Sequence, residues 1–220
     1  MAEDNKPNTS PETGQPEAKP AAPQAAPVAP KPAPPAAAAA PKPPAAPPKP
    51  AAPTPQPWDT NFTSALKQQY GSGIRETSTY LGQNYLVVER GLAHDVLYKL
   101  RHDEGFDYCV DITAVHYPKK DQPFEVVYIL YSFPKNTRVR VKTTLNEGEE
   151  IPTAVDIWPT ANWLEREVFD MFGIRFSGHP DLKRILLPDG WKGHPLRKDY
   201  PILQQDKEWV QINLGIESGQ

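Results

Sequence analysis

Residues 1–57 contain no Trp, Tyr, Phe, Leu or Ile and consist mainly of Pro, Ala, Gln and Lys, so this stretch has almost nothing to bury. Ordering a backbone residue costs about 1–2 kcal/mol, which alanine methyl groups do not offset, and the segment is predicted to be a disordered Pro/Ala/Lys-rich leader with polyproline II character. Basic excess is also missing: the formal net charge is -3, and Lys and Arg are interleaved with Asp and Glu. That excludes the electrostatic footprint of a nucleic-acid binder. The longest apolar run, Val126 to Leu130 extended by Tyr131, falls far short of the roughly 20 residues that span a bilayer, so membrane association is expected only through a partner. No Arg precedes Arg75, and the chain opens Met1-Ala2-Glu3-Asp4, which fits neither a secretory signal nor an Arg-rich transit peptide and favours a bacterial origin.

Cysteine is nearly absent too. Cys109 stands alone, inside the strand-like alternation Phe106-Asp107-Tyr108-Cys109-Val110-Asp111-Ile112, where it reads as a small buried hydrophobe. One thiol makes no disulfide within the chain and cannot hold an iron–sulfur cluster, which needs several thiolates. Gly71-Ser72-Gly73-Ile74-Arg75-Glu76 begins like a dinucleotide loop, but Glu76 replaces the third glycine and no apolar strand precedes it, so it reads as a turn. There is no GxxxxGK[ST], HExxH or GxSxG pattern, and His94, His102, His116, His179 and His194 never fall at metal-helix spacing. No catalytic, cofactor-binding or metal-ligating residue is therefore assigned.

All aromatic residues lie from Trp58 onward. Periodicity predicts a helix over Asn61 to Tyr70, strands over Arg75 to Leu81 and Asn84 to Glu89 around a Gly82-Gln83 turn, and an amphipathic helix over Ala93 to Asp103. Three β-rich runs follow, Asp107 to His116, Phe124 to Phe133 and Arg138 to Thr144, and read as an antiparallel meander. The order predicts an α+β fold: a compact two-layer domain with an antiparallel-rich sheet and covering helices. After Pro152, Thr153-Ala154-Val155-Asp156 resembles a helix start and Pro159-Thr160 a restart, so two helices are expected. In the second, Leu164, Val168, Met171 and Phe172 form a stripe, Asn162 and Glu165 stand at capping-box spacing, and Gly173 suits the C-terminal left-handed position. Residues 58–173 are assigned to the core. Residues 174–220 show no period and are punctuated by Pro and Gly, so they are expected to be an extended arm lying on a partner, with a reach beyond about 100 Å.

Charge concentrates in two places. Glu165, Arg166, Glu167 and Asp170 pack three carboxylates and a guanidinium into two helical turns; Arg166 and Asp170 stand at i, i+4 and are expected to pair. Paired carboxylates can serve as general acid and base, but no nucleophile, metal set or oxyanion loop accompanies them, and interface or structural ion pairs are the better reading. The arm carries Lys183, Arg184, Lys192, Arg197 and Lys198 among Leu182, Ile185, Leu186, Leu187, Trp191 and Leu196, a mixture suited to burial against protein. His179-Pro180 and His194-Pro195 read as turn or interface histidines.

The run Trp158-Pro159-Thr160-Ala161-Asn162-Trp163-Leu164-Glu165-Arg166-Glu167-Val168-Phe169-Asp170-Met171-Phe172-Gly173-Ile174 resembles the signature helix of the C subunit family of respiratory complex I, the proton-pumping NADH:quinone oxidoreductase. Gly178-His179-Pro180-Asp181-Leu182, Arg184-Ile185-Leu186-Leu187-Pro188 and Gly193-His194-Pro195-Leu196-Arg197-Lys198-Asp199-Tyr200-Pro201 are similar to that family as well. The resemblance covers approximately Phe62 to Pro201. It implies a structural subunit of the peripheral arm, not active alone, on the cytoplasmic side of the bacterial inner membrane. It also implies no cofactor bound by this chain, with NADH, FMN, iron–sulfur clusters and quinone (ubiquinone or another) handled by other subunits. The implied partners are the D subunit, which helps form the quinone site, and cluster-bearing neighbours. The implied interface residues are Glu165, Arg166, Glu167, Asp170, His179, Asp181, Arg184, His194, Arg197, Lys198, Asp199 and Tyr200. Two features depart from the family: His116 stands where Asp is usual, and the Pro/Ala leader lies outside the family core.

Overall fold

The computed structural model describes residues 53–201 and 207–215. The predicted leader, as far as residue 52, and the arm segments 202–206 and 216–220 lie outside the described residues. The first element is a two-residue strand, β1 (Gln56–Pro57), which pairs antiparallel with β2 (Ile74–Tyr80), so the fold starts slightly before Trp58. Between them α1 (Asn61–Tyr70) begins at a capping box: Thr60 accepts the Thr63 N–H at 3.2 Å, and the Thr63 hydroxyl accepts the Thr60 N–H at 2.8 Å. These bonds satisfy two donors a helix start otherwise leaves open.

β2 turns into β3 (Gln83–Val88) through Leu81 and Gly82, both at positive φ (50° and 73°). Two consecutive positive φ values are what a tight hairpin turn needs to follow the strand twist, and they put the turn one residue earlier than the sequence suggests. Next come α2 (Ala93–His102) and a meander of β4 (Tyr108–His116), β5 (Phe124–Ser132) and β6 (Thr137–Leu145). β6 closes the sheet against β3 in parallel, giving the order β1-β2-β3-β6-β5-β4, with every other pairing antiparallel. The α+β, antiparallel-rich reading holds.

One face of this sheet is apolar and packed. Leu86, Val88, Val126, Tyr128, Leu130, Val139 and Val141 join Leu66, Val96, Leu97, Leu100, Val168 and Phe172 from the helices in one core. Strand alternation sends Tyr85, Val87, Ile129, Arg138, Arg140 and Lys142 to the opposite face.

β7 (Glu150–Pro152) pairs in parallel with β8 (Arg175–Ser177), one on each side of α3 (Ala161–Phe172). Ile174 and Phe176 are both 3% exposed and belong to the core, so the compact unit extends past residue 173. Only one helix follows Pro152 before β8. The Ala154 carbonyl accepts the N–H groups of Ile157 (3.1 Å) and Trp158 (2.9 Å), which makes Thr153 to Asp156 part of a turn instead of a first helix. A further short helix, α4 (Lys207–Leu214), occupies a region expected to be irregular.

Candidate subunit interface

α3 ends at Gly173 (φ 79°, ψ 12°), whose N–H reaches the Phe169 carbonyl at 2.9 Å, the left-handed cap expected. Its buried stripe of Ala161, Val168, Met171 and Phe172 contains two carboxylates, Glu165 and Asp170, and both are 0% exposed. A buried carboxylate must be satisfied internally or it neutralises. The two solve this differently.

Glu165 accepts the Thr153 hydroxyl and the Ala154 N–H, each at 2.6 Å, and so pins α3 to the turn after β7. It makes no capping box. Burial dominates its chemistry and raises its carboxyl to about 7, although the Thr153 and Ala154 hydrogen bonds pull the other way.

Asp170 does not pair with Arg166. Its Oδ1 accepts Arg184 Nη1 at 2.8 Å, and its Oδ2 accepts three successive backbone N–H groups, Ile185 (3.0 Å), Leu186 (2.8 Å) and Leu187 (2.9 Å). Burial opposes its ionisation, yet the backbone donors and Arg184 outweigh it and hold the carboxyl below its ordinary value. Arg166, one turn earlier, donates from Nε to the Lys183 carbonyl (3.1 Å) and from Nη2 to the Arg184 carbonyl (3.0 Å). The helix thus reads the carbonyls of one part of the arm and the N–H groups of the next. The i, i+4 pairing loses because a nest of backbone donors plus a guanidinium satisfies Asp170 more completely than one side chain on its own helix.

Further contacts continue the attachment. His179 Nε2 donates to the Asn162 carbonyl (3.1 Å) while its Nδ1 accepts the Asp181 N–H (3.0 Å). His194 Nδ1 donates to the Asp170 carbonyl (2.8 Å), and the Leu196 N–H reaches the Met171 carbonyl at 3.2 Å. Arg197 pairs with Asp199 through two bonds of 3.0 and 3.1 Å and with Glu147 at 2.7 Å. His116 Nδ1 accepts the Lys198 N–H at 3.0 Å, while its ring stacks on Phe124 with centroids 4.6 Å apart. An acceptor is what this position supplies, and the His116 imidazole provides it. The segment 178–200 is therefore not extended into solvent; it is strapped along α3 and the end of the meander.

The sequence-assigned residues separate by exposure. Glu165 and Asp170 face inward, Arg166 is half-buried on α3, and His179, Arg184, His194, Arg197 and Tyr200 are half-buried within the strap. Glu167, Asp181, Lys198 and Asp199 are exposed, with Asp181 paired to Lys183 at 2.7 Å. Sequence reasoning anticipated the apolar side chains of the strap but missed Trp163 and Phe133. Trp163 is 70% exposed on the outer side of α3 and lines a groove of about 600 Å³ with Tyr108, Val110, Pro159 and Leu164. Phe133 (63%) lies beside Tyr108 with ring centroids 5.8 Å apart, and Leu186 (60%) and Leu196 (52%) stud the strap. Trp163 could have been found because it falls opposite the Val168 and Phe172 stripe.

A chain whose charged groups hold its own C-terminal strap, and whose surface presents Trp, Phe and Leu side chains, has the character of a component of a larger assembly. Residues 86–206 match the family described as Respiratory-chain NADH dehydrogenase, 30 Kd subunit. The chain belongs to that family, and its role is that of a complex I subunit. Among its relatives, the NADH-quinone oxidoreductase C subunit of Geotalea uraniireducens (strain Rf4) is 42% identical over 144 residues, spanning 65% of this chain and 88% of that protein. The corresponding protein of Phenylobacterium zucineum (strain HLK1) is 50% identical over 115 residues, 51% of this chain and 55% of that one. A chain in the structure of the membrane-bound sulfane sulfur reductase, an archaeal respiratory membrane complex, superimposes with a TM-score of 0.56 at 26% identity, covering 71% of this chain and 93% of that one. Among the described residues no helix is long and apolar enough to cross a membrane, in keeping with peripheral association with a membrane complex.

Proposed function

We propose that this chain is a non-catalytic assembly subunit of the peripheral arm of NADH:quinone oxidoreductase, with no redox centre of its own, on the cytoplasmic side of a bacterial inner membrane. The observation that carries the reading is the bracing of residues 183–187 by Asp170 and Arg166, which holds exposed Ile185 and Leu186 in a fixed shape at the surface. A preordered apolar strip costs less ordering entropy on docking than a free tail. The partners on this reading are the D subunit at the quinone site and cluster-bearing neighbours. Electrons would pass through those proteins, while this chain fixes their geometry.

Two further observations support the absence of chemistry. Cys109 is 2% exposed, and burial pushes its thiol up to about 12, which disfavours the thiolate that metal ligation needs. Of the three α3 carboxylates, Glu165 and Asp170 are buried and engaged with their own chain, and only Glu167 is exposed.

The test is gentle detergent extraction followed by subunit identification and an NADH-to-quinone assay, in cells with and without this chain. Its removal should leave the NADH-oxidising module detached from the quinone-reducing part and abolish coupled activity. Recovery of the chain only as a free monomer would defeat the proposal. Co-purification with a sulfur- or hydrogen-metabolising large subunit, without an NADH-oxidising module, would move the chain to the lineage of the archaeal complex.

A further inference from the structure

The face of the sheet away from the helices has its own chemistry. On β6, Arg138, Arg140 and Lys142 alternate with buried Val139 and Val141, so three cations form a row down the middle of this face. Register places Arg140 between Tyr85 on β3 and Ile129 on β5, and Lys142 between Val87 and Val127. Pro55, Tyr80, Gln83, Tyr85, Arg140 and Lys142 line a groove of about 230 Å³ with no carboxylate in its wall.

The nearby acids are occupied or distant. Glu125 pairs with Lys142 at 3.4 Å, whose ammonium also lies 4.8 Å from the centre of the Tyr85 ring. Glu76 accepts hydrogen bonds from the Tyr85 and Ser78 hydroxyls. Asp111 stands in the Arg140 row but beyond Ile129, two strands away, or about 10 Å. Among the described residues neither Arg138 nor Arg140 forms an ion pair, and Arg140 Nε is shielded from solvent without a hydrogen-bond acceptor. Arg140 stands in register between an aromatic and an aliphatic neighbour, and a guanidinium without an ion-pair partner suits a planar carboxylate.

We propose that this helix-free face of the sheet docks an acidic, extended segment of a neighbouring subunit, with Arg140 and Arg138 as its ion-pairing residues and Tyr80 and Tyr85 as its walls. Charge complementarity selects the occupant. An apolar partner would bury both guanidiniums uncompensated, which is costly. The chain's own residues 1–52 lack the required sign, since Glu3, Asp4, Glu12 and Glu17 are set against Lys6, Lys19, Lys31, Lys42 and Lys49. The inference rests on the subunit reading and adds a surface distinct from the α3 strap.

The test places the photo-crosslinking residue p-benzoylphenylalanine at Gln83 in the full chain within the membrane-extracted complex, and sequences the crosslinked peptide. The expected product is a peptide of another subunit with Asp or Glu close to the attachment point. Arg140→Glu, or Arg138→Glu at the exposed rim should the first variant fold poorly, should lower the crosslink yield about tenfold, the factor that loss of one interfacial charge pair gives. Arg140→Lys should retain most of it. A crosslink to lipid, to this chain's own leader or to a peptide without acids would overturn the inference, as would no crosslink or an unchanged yield in both charge reversals. If those results come from a chain that still co-purifies with other subunits, the subunit reading stands and only the acidic docking fails. A chain that co-purifies with none removes both.

Discussion

Changing pH across the ionisation of Glu165 should change stability in a direction opposite to that of an ordinary salt-bridged acid. The side chain is 0% exposed and its carboxyl is raised from 4.5 to about 7. Ionising it costs about 3 kcal/mol more in the folded than in the unfolded chain, at 1.36 kcal/mol per pKa unit. Because the folded value is the higher one, its contribution is fully present below pH 4.5 and is lost as pH rises through 7. The native protein therefore holds an extra proton between these limits. Glu165→Gln keeps an acceptor for the Ala154 N–H and can donate to the Thr153 hydroxyl, but has no charge to desolvate. Urea denaturation of both proteins across this range should show wild-type stability falling relative to the variant by about 3 kcal/mol toward high pH. Taking the difference also removes His194, whose imidazole is pushed down by burial and which acts in the reverse sense. A constant difference from pH 4.5 to 8 would refute the argument that desolvation controls Glu165.

Asp170→Asn leaves Arg184 without its counter-charge and should cost about 3 kcal/mol, with amide exchange accelerating at Ile185, Leu186 and Leu187 before the sheet is affected. Since the Asp170 carboxyl is lowered in the folded chain, its stabilisation is present above 3.8 and lost as pH falls further, so acid should release the strap first. Gly173→Ala would set a Cβ 2.7 Å from His194 Nε2 at a backbone φ of 79°, and should lower stability by about 1–3 kcal/mol in a thermal melt. Trp163→Ala should leave the melting of the isolated chain within about 0.5 kcal/mol yet weaken recovery with partner subunits, a split that a core residue would not give. Cys109 should resist maleimide at pH 8 in the native chain and react at once in denaturant; rapid native labelling would contradict its burial.

What could be read from the sequence was mostly local. α1 is bounded as the pattern indicates because Thr60 and Gly71 act within a turn of their own residues, and Gly173 was legible for the same reason. The meander was legible because strand alternation and Pro-bounded turns need no knowledge of distant contacts. By contrast, the parallel β3 to β6 pairing and the β7 to β8 pairing join segments far apart in the chain. Thr153 to Asp156 carries helix-start residues, yet Glu165 captures the Ala154 N–H and the backbone turns instead. Helical spacing suggested Arg166 for Asp170; the competing donors lie 14 to 17 residues further on and are mostly backbone, which sequence spacing does not reveal. The irregular arm correctly signalled a need for a surface, but part of that surface is α3 of the same chain.

The strap also imposes an order on synthesis. Lys198 bonds to His116, 82 residues earlier, and Arg184 neutralises a carboxylate 14 residues behind it, so each clasp closes on something already made. A nascent chain halted before Arg184 has every strand of the sheet but a buried Asp170 with nothing to balance it. Truncated products thus lack the partners of Asp170 at the centre of α3, so completion of the strap and satisfaction of that helix are one event.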